Sequence, residues 1–172
     1  VFRQMSRRTT FATVTESTRC ALGGLLLEFN EGMVTLAATD SRRLAVATAA
    51  CEKHGAPEAP AKATVVPTKA MSLLERSIDP QAEFVDIAVH DNDVMMRSGA
   101  CVVYSRLVEG RFPRYRDVIP RSGNVDIGLP VGPFFAAVRQ SQIITDEESR
   151  GVDFQFHESM LTLSSQASAI GE

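Results

Sequence analysis

The feature that most constrains this chain is an internal repeat. Gly24-Leu-Leu-Leu-Glu-Phe-Asn-Glu-Gly-Met-Val-Thr-Leu36 lies on Gly151-Val-Asp-Phe-Gln-Phe-His-Glu-Ser-Met-Leu-Thr-Leu163 without a gap, 127 positions apart. Gly24/Gly151, Glu31/Glu158, Met33/Met160, Thr35/Thr162 and Leu36/Leu163 are identical. Each copy reads as a hairpin and each follows a helical pattern. Hairpins share composition, so a few matches could arise by chance, but the shared helix–loop–hairpin order favours duplication. A repeat at long period indicates stacked copies of one unit. The second copy is half present, which predicts a complete domain over residues 1–122 and a truncated one over 123–172. Residue 1 is Val rather than Met, and the natural start is expected upstream.

The patterns around the repeat predict an α+β chain. Phe2, Met5, Thr9 and Ala12 recur at helical spacing, with Arg3, Arg7 and Thr10 on another face. Leu25, Leu27 and Phe29 alternate as in a strand, Asn30-Glu31-Gly32 turns, and Val34, Leu36 and Ala38 line one side of the return. Residues 43–48 continue extended, and the Pro/Ala-rich stretch 51–63 reads as a loop. Thr68 is placed to cap a second helix with Met71, Leu74 and Ile78 on its buried stripe. Strands are expected over 84–90, 94–98 and 101–107, with Asp91-Asn92-Asp93 as a turn. A basic connector spans 110–120. Pro133 suits the first turn of a third helix over 133–144, and a last hairpin covers 152–156 and 160–165.

The chemistry offered by these residues is sparse. An enzyme needs a nucleophile with its base, a carboxylate pair or metal ligands at usable spacing. His54, His90 and His157 are isolated, and the latter two sit beside turns where a solvated histidine is the simple reading. Cys20, Cys51 and Cys101 are far apart, with no Cys-x-x-Cys, and read as buried free thiols of a reducing cytoplasm. From Asp91, the sixth and twelfth positions of a calcium loop would be Met96 and Val102 rather than Gly and Glu. Asp146-Glu147-Glu148 reads as a solvated charge run. No metal and no cofactor is expected. No apolar run approaches the ~20 residues of a membrane span. The formal net charge of −3 argues against a surface coated in nucleic acid, but the charge is uneven. Residues 1–20 carry four Arg against one Glu, and residues 105–121 five Arg against Glu109 and Asp117.

Two stretches carry a resemblance. Thr39-Asp40-Ser41-Arg42-Arg43-Leu44-Ala45-Val46 and Leu107-Val-Glu-Gly-Arg-Phe-Pro-Arg-Tyr-Arg-Asp-Val-Ile-Pro120 closely resemble the bacterial DNA polymerase III β subunit, the β sliding clamp. Val66-Pro67-Thr68-Lys69 and Ser149-Arg150-Gly151-Val152 add to the match, which covers essentially the whole chain. The resemblance implies the DNA-clamp fold, in which each domain is two helices packed on antiparallel β-sheets, repeated. It implies a non-catalytic processivity factor in the cytoplasm. Such a clamp is a three-domain subunit of a homodimer ring around double-stranded DNA, and this chain corresponds to its middle domain and the first half of its third. Arg and Lys on the inner helices would attract phosphates without reading bases. Arg3 and Arg7 share one face, Lys69 and Arg76 another, and Arg8, Arg19 and Arg139 are further candidates. A solvated helix face is the plain alternative.

The family also docks a short linear peptide, roughly Gln-Leu-x-Leu-Phe, from the replicative polymerase, the clamp loader and repair proteins. By the same resemblance the matching wall residues are Leu22, Thr39, Arg43, Leu44, Pro113 and Val118, flanked by Ser41 and Arg42. Apolar area at Leu22, Leu44, Pro113 and Val118 suits Leu and Phe anchors. Taken singly, Leu22, Leu44 and Val118 could equally be core. Ser41-Arg42 departs from the Gly-His often found there, and Asp117 stands where a base is common. A protein-interaction module outside replication and a small α+β enzyme of unknown chemistry are the competing readings. The first would show the pocket without a basic helix face. The second would show a polar pocket with converging His, Cys or carboxylate groups.

Overall fold

A computed structural model describes residues 1–14, 20–54, 63–123, 125–145 and 151–165. The chain divides into two compact units, Val1–Ile119 and Pro120–Glu172. The first unit opens with helix α1 (Phe2–Thr10) and a short 3₁₀ turn at Cys20–Gly23. Strands β1 (Gly24–Asn30), β2 (Met33–Thr39), β3 (Leu44–Ala50) and β4 (Thr64–Pro67) follow, then helix α2 (Thr68–Ser77). Strands β5 (Asp86–Val89), β6 (Asp93–Ser98) and β7 (Cys101–Arg106) and a 3₁₀ turn at Tyr115–Val118 complete it. Two antiparallel sheets result, one ordered β3-β2-β1-β4 and the other β5-β6-β7.

Alternation along the strands decides which side chains go where, because successive residues point to opposite faces. Leu25 and Leu27 of β1 and Val34, Leu36 and Ala38 of β2 enter one core, where they meet Met5 of α1, Met71 and Leu74 of α2, and Val94 and Met96 of β6. Both helices and both sheets therefore share one apolar interior. Leu25, Leu27, Leu36, Met71 and Leu74 are fully buried. Each such side chain contributes about 1.5–3 kcal/mol through burial. Thr9 is also fully buried and keeps its hydroxyl satisfied by donating to the Met5 carbonyl at 2.8 Å. The opposite face of the four-stranded sheet is covered too. Leu26, Ala37 and Val65 pack under Tyr115, with Leu44, Val108 and Phe112 at the margin.

The second unit holds helix α3 (Val131–Ser141), a 3₁₀ turn at Gln142–Ile144, and the hairpin β8 (Asp153–His157) and β9 (Met160–Ser164). Phe134 of α3 meets Phe154 of β8, ring centroids 6.0 Å apart. The repeat is structural as well as sequential. Leu27 pairs with Leu36 as Phe154 pairs with Leu163, and Asn30 with Met33 as His157 with Met160. Glu31 and Glu158 both adopt positive φ, 48° and 51°, at the same place in their turns.

Several expectations are corrected. Thr68 does not cap α2. Pro67 holds that position, and the Thr68 hydroxyl donates instead to the Gly23 carbonyl at 2.9 Å, tying the helix start to the 3₁₀ turn before β1. Strand β4, not anticipated, forms where Thr64–Pro67 runs antiparallel to Gly24–Leu27. Helix α3 starts two residues before Pro133, which still falls in its first turn. Cys51 and Cys101 are free but only half-buried. Arg19 and the run Asp146-Glu147-Glu148 lie outside the described residues.

Candidate functional site

The site begins at the turn between β2 and β3. Thr39 and Leu44 close the strand pair as its last register partners, leaving Asp40–Arg43 to reverse the chain. The buried Thr39 hydroxyl donates to the Arg43 carbonyl at 2.7 Å and accepts from the Ser41 N–H at 3.1 Å. Asp40 accepts from the N–H groups of Arg42 and Arg43, both at 3.0 Å, and from Arg43 Nε at 2.9 Å. These bonds, the Arg42 N–H foremost, hold the Asp40 carboxyl below the usual aspartate range. Ser41 sits at φ 76°. Arg43 reaches back over the Phe11 ring, 5.7 Å from its centroid, so the turn rests on the end of α1.

The connector lies on the same unit. Tyr115 is buried against the sheet, its ring edge-on to Phe112 at 6.3 Å. Its hydroxyl donates to Glu28 at 3.0 Å, and Arg116 Nη2 bonds the same carboxylate oxygen at 2.7 Å. Burial, reinforced by Glu28, pushes the Tyr115 phenol up. Val118 ends this turn 70% exposed. Pro113, Ser41, Arg42 and Arg43 are exposed, Leu44 is half-buried at the margin of the Tyr115 cluster, and Leu22 is buried at 8%. Leu22 and Val118, alternatives as core or wall in the sequence, therefore differ in exposure, the first buried and the second open to solvent.

The basic residues take different situations. Arg7, Arg8, Lys69 and Arg76 are exposed on α1 and α2, which pack side by side. Arg7 Nε is bound to Glu75 of α2 at 2.6 Å. Arg3 is half-buried, and its Nε has no hydrogen-bond partner. Arg139 is exposed on α3, in the second unit, over the Phe135 ring at 5.9 Å. Among the described residues no group of three or more His, Cys, Asp or Glu could hold a metal ion, and no helix is long and apolar enough to cross a membrane.

Comparison with known proteins decides the family. Residues 1–114 match the family of the DNA polymerase III beta subunit, central domain. The chain belongs to this family. A beta sliding clamp of Caulobacter vibrioides is 34% identical over 162 residues, which are 91% of this chain and 42% of that protein. One of Halalkalibacterium halodurans is 29% identical over 147 residues, 86% of this chain and 38% of that protein. The crystal structure of the DNA polymerase III subunit beta from Pseudomonas aeruginosa matches with a TM-score of 0.85 at 28% identity, covering 97% of this chain and 45% of that one. The chain therefore spans less than half the length of these relatives, and its α+β fold is that of the sliding clamp.

Within this sliding-clamp unit, the residues that sequence reasoning missed are those that hold the others in place. Asp40 was legible as part of a motif, and its short side chain one residue before a turn is a known signal for bonds to nearby backbone N–H groups. Phe11 and Glu28 carried no comparable signal, because their partners lie far away in the chain.

Proposed function

We propose that this chain is the middle domain and the first half of the third domain of a bacterial DNA sliding clamp, divided near residue 122. The clamp is a non-catalytic processivity factor of the replicative polymerase, acting in the cytoplasm as a homodimer ring around duplex DNA. The single observation that carries the reading is the family match over residues 1–114. The exposed bases of α1 and α2 (Arg7, Arg8, Lys69 and Arg76, with Arg3 beside them) would face DNA and attract phosphates without reading sequence. Arg139 and Arg19 remain assigned to the same role by resemblance.

The second activity is docking of linear peptides of the Gln-Leu-x-Leu-Phe kind from the polymerase, the clamp loader and repair proteins. Leu22, Thr39, Leu44, Pro113 and Val118, with the Ser41-Arg42-Arg43 turn, supply one wall. Support comes from the chemistry of the wall. Val118 and Pro113 are apolar yet exposed, and Leu44, which follows the turn fixed by Asp40, packs at the margin of the Tyr115 cluster. The experiment is a calorimetric titration of such a peptide into the full-length clamp. Leu44→Ala with Val118→Ala is expected to weaken binding about tenfold, which is about 1.4 kcal/mol, with an unchanged circular dichroism spectrum. Unchanged affinity would overturn the assignment.

A further inference from the structure

We infer that Glu28 is the positioning residue of the docking surface: its carboxylate fixes the Tyr115–Val118 turn so that Val118 is held out of the protein in advance of a partner. The inference rests on the docking reading above and adds to it a residue that touches no peptide.

Glu28 follows Leu27 on β1, and alternation sends it to the face that carries Leu26 rather than into the main core. Its side chain is only 18% exposed. A carboxylate so placed is costly unless it is bonded. The bonds it makes are concentrated on two consecutive residues of one turn. Tyr115 Oη donates at 3.0 Å, Arg116 Nη2 at 2.7 Å, and Arg116 Nη1 lies at 3.5 Å. The Arg116 guanidinium also stands 5.0 Å from the centre of the Tyr115 ring, so the two donors brace one another.

Besides that carboxylate, the buried Tyr115 ring anchors the turn. Two backbone bonds remain within it, Tyr115 N–H to the Pro113 carbonyl at 2.7 Å and Asp117 N–H to the Arg114 carbonyl at 3.0 Å. Val118, Asp117 and Arg116 are exposed. The position of Val118 is therefore set from behind, by Glu28 and the buried Tyr115 ring. A surface held in its bound shape loses less entropy on association, and this raises affinity without adding a contact.

The test uses the full-length clamp, a synthetic Gln-Leu-Ala-Leu-Phe peptide and amide hydrogen exchange. Glu28→Ala is expected to speed exchange of the Asp117 amide at least tenfold and to weaken the peptide at least fivefold. Glu28→Gln, which can still accept from Tyr115, is expected to fall between that variant and the parent. Val94→Ala, in the core at β6, is the destabilising control and should lower the unfolding temperature while leaving both readouts unchanged. The inference is overturned if Asp117 exchange does not respond to Glu28→Ala, or if Val94→Ala weakens the peptide as much. Absence of peptide binding by the parent clamp overturns the docking reading instead, and the exchange result still reports on the lock.

Discussion

Ser41 stands at φ 76°, in the left-handed region where a Cβ is strained and glycine is not. It is held there because Thr39 and Asp40 together bind the N–H groups of Ser41, Arg42 and Arg43. The family resemblance noted glycine as common at this place, and the backbone supplies the reason. Ser41→Gly is expected to stabilise the unit by about 0.5–1 kcal/mol, the strain relieved less the added freedom of the unfolded chain. Thermal unfolding measures it, and a lowered midpoint would show that Ser41 contributes more than its backbone. At this scale the sequence was uneven in what it revealed. The motif around Asp40 was visible through the family resemblance, and its bonds are local, to partners two and three residues away. The Tyr115–Glu28 bond was not, because 87 positions separate the two and no local pattern marks either as the other's partner. Val118 could be read from sequence as core or surface, since a valine near a proline fits both. In the structure its side chain is 70% exposed.

Elements were most legible where a period repeats. The hairpin β1–β2 and its copy β8–β9 followed from alternation, and both helices of the first unit from apolar spacing of three and four. Strand β4 was hidden. Its four residues are too few to show a period, and Pro67 with the Pro/Ala-rich loop before it argues for irregular structure. It is a strand because β1 makes it one, from the sheet edge where a proline is tolerated. The contact is close. A Cβ on Gly24 would meet the Val66 carbonyl oxygen at 2.5 Å and Val65 Cγ1 at 2.7 Å. Gly24→Ala is thus expected to push β4 off β1, with a loss of about 1–3 kcal/mol. Urea denaturation should show a lower midpoint with little change in slope. An unchanged midpoint would mean that β4 can shift at no cost, and that the glycine shared with position 151 serves another purpose.

At the scale of the molecule, the net charge of −3 conceals a basic helix pair interrupted by an acid. Glu75, with a side chain 19% exposed, takes Arg7 at 2.6 Å and so competes with any phosphate for that guanidinium. Glu75→Gln in the full-length clamp is expected to free Arg7 and steepen the slope of log affinity against log salt by up to about 0.9, the increment for one phosphate contact. Fluorescence anisotropy on duplex DNA across a salt series reads it, and an unchanged slope would make Arg7 a tie between helices only. The repeated hairpin has a consequence of a different kind. In the first unit that hairpin is covered on both faces, by the helices and by the Tyr115 connector. In the second unit every described strand residue is at least partly exposed, Phe156 at 53% and Met160 at 69% among them. One hairpin pattern is thus used at two levels of burial: Leu36 is fully buried, and its counterpart Leu163 is half-buried at the same register position.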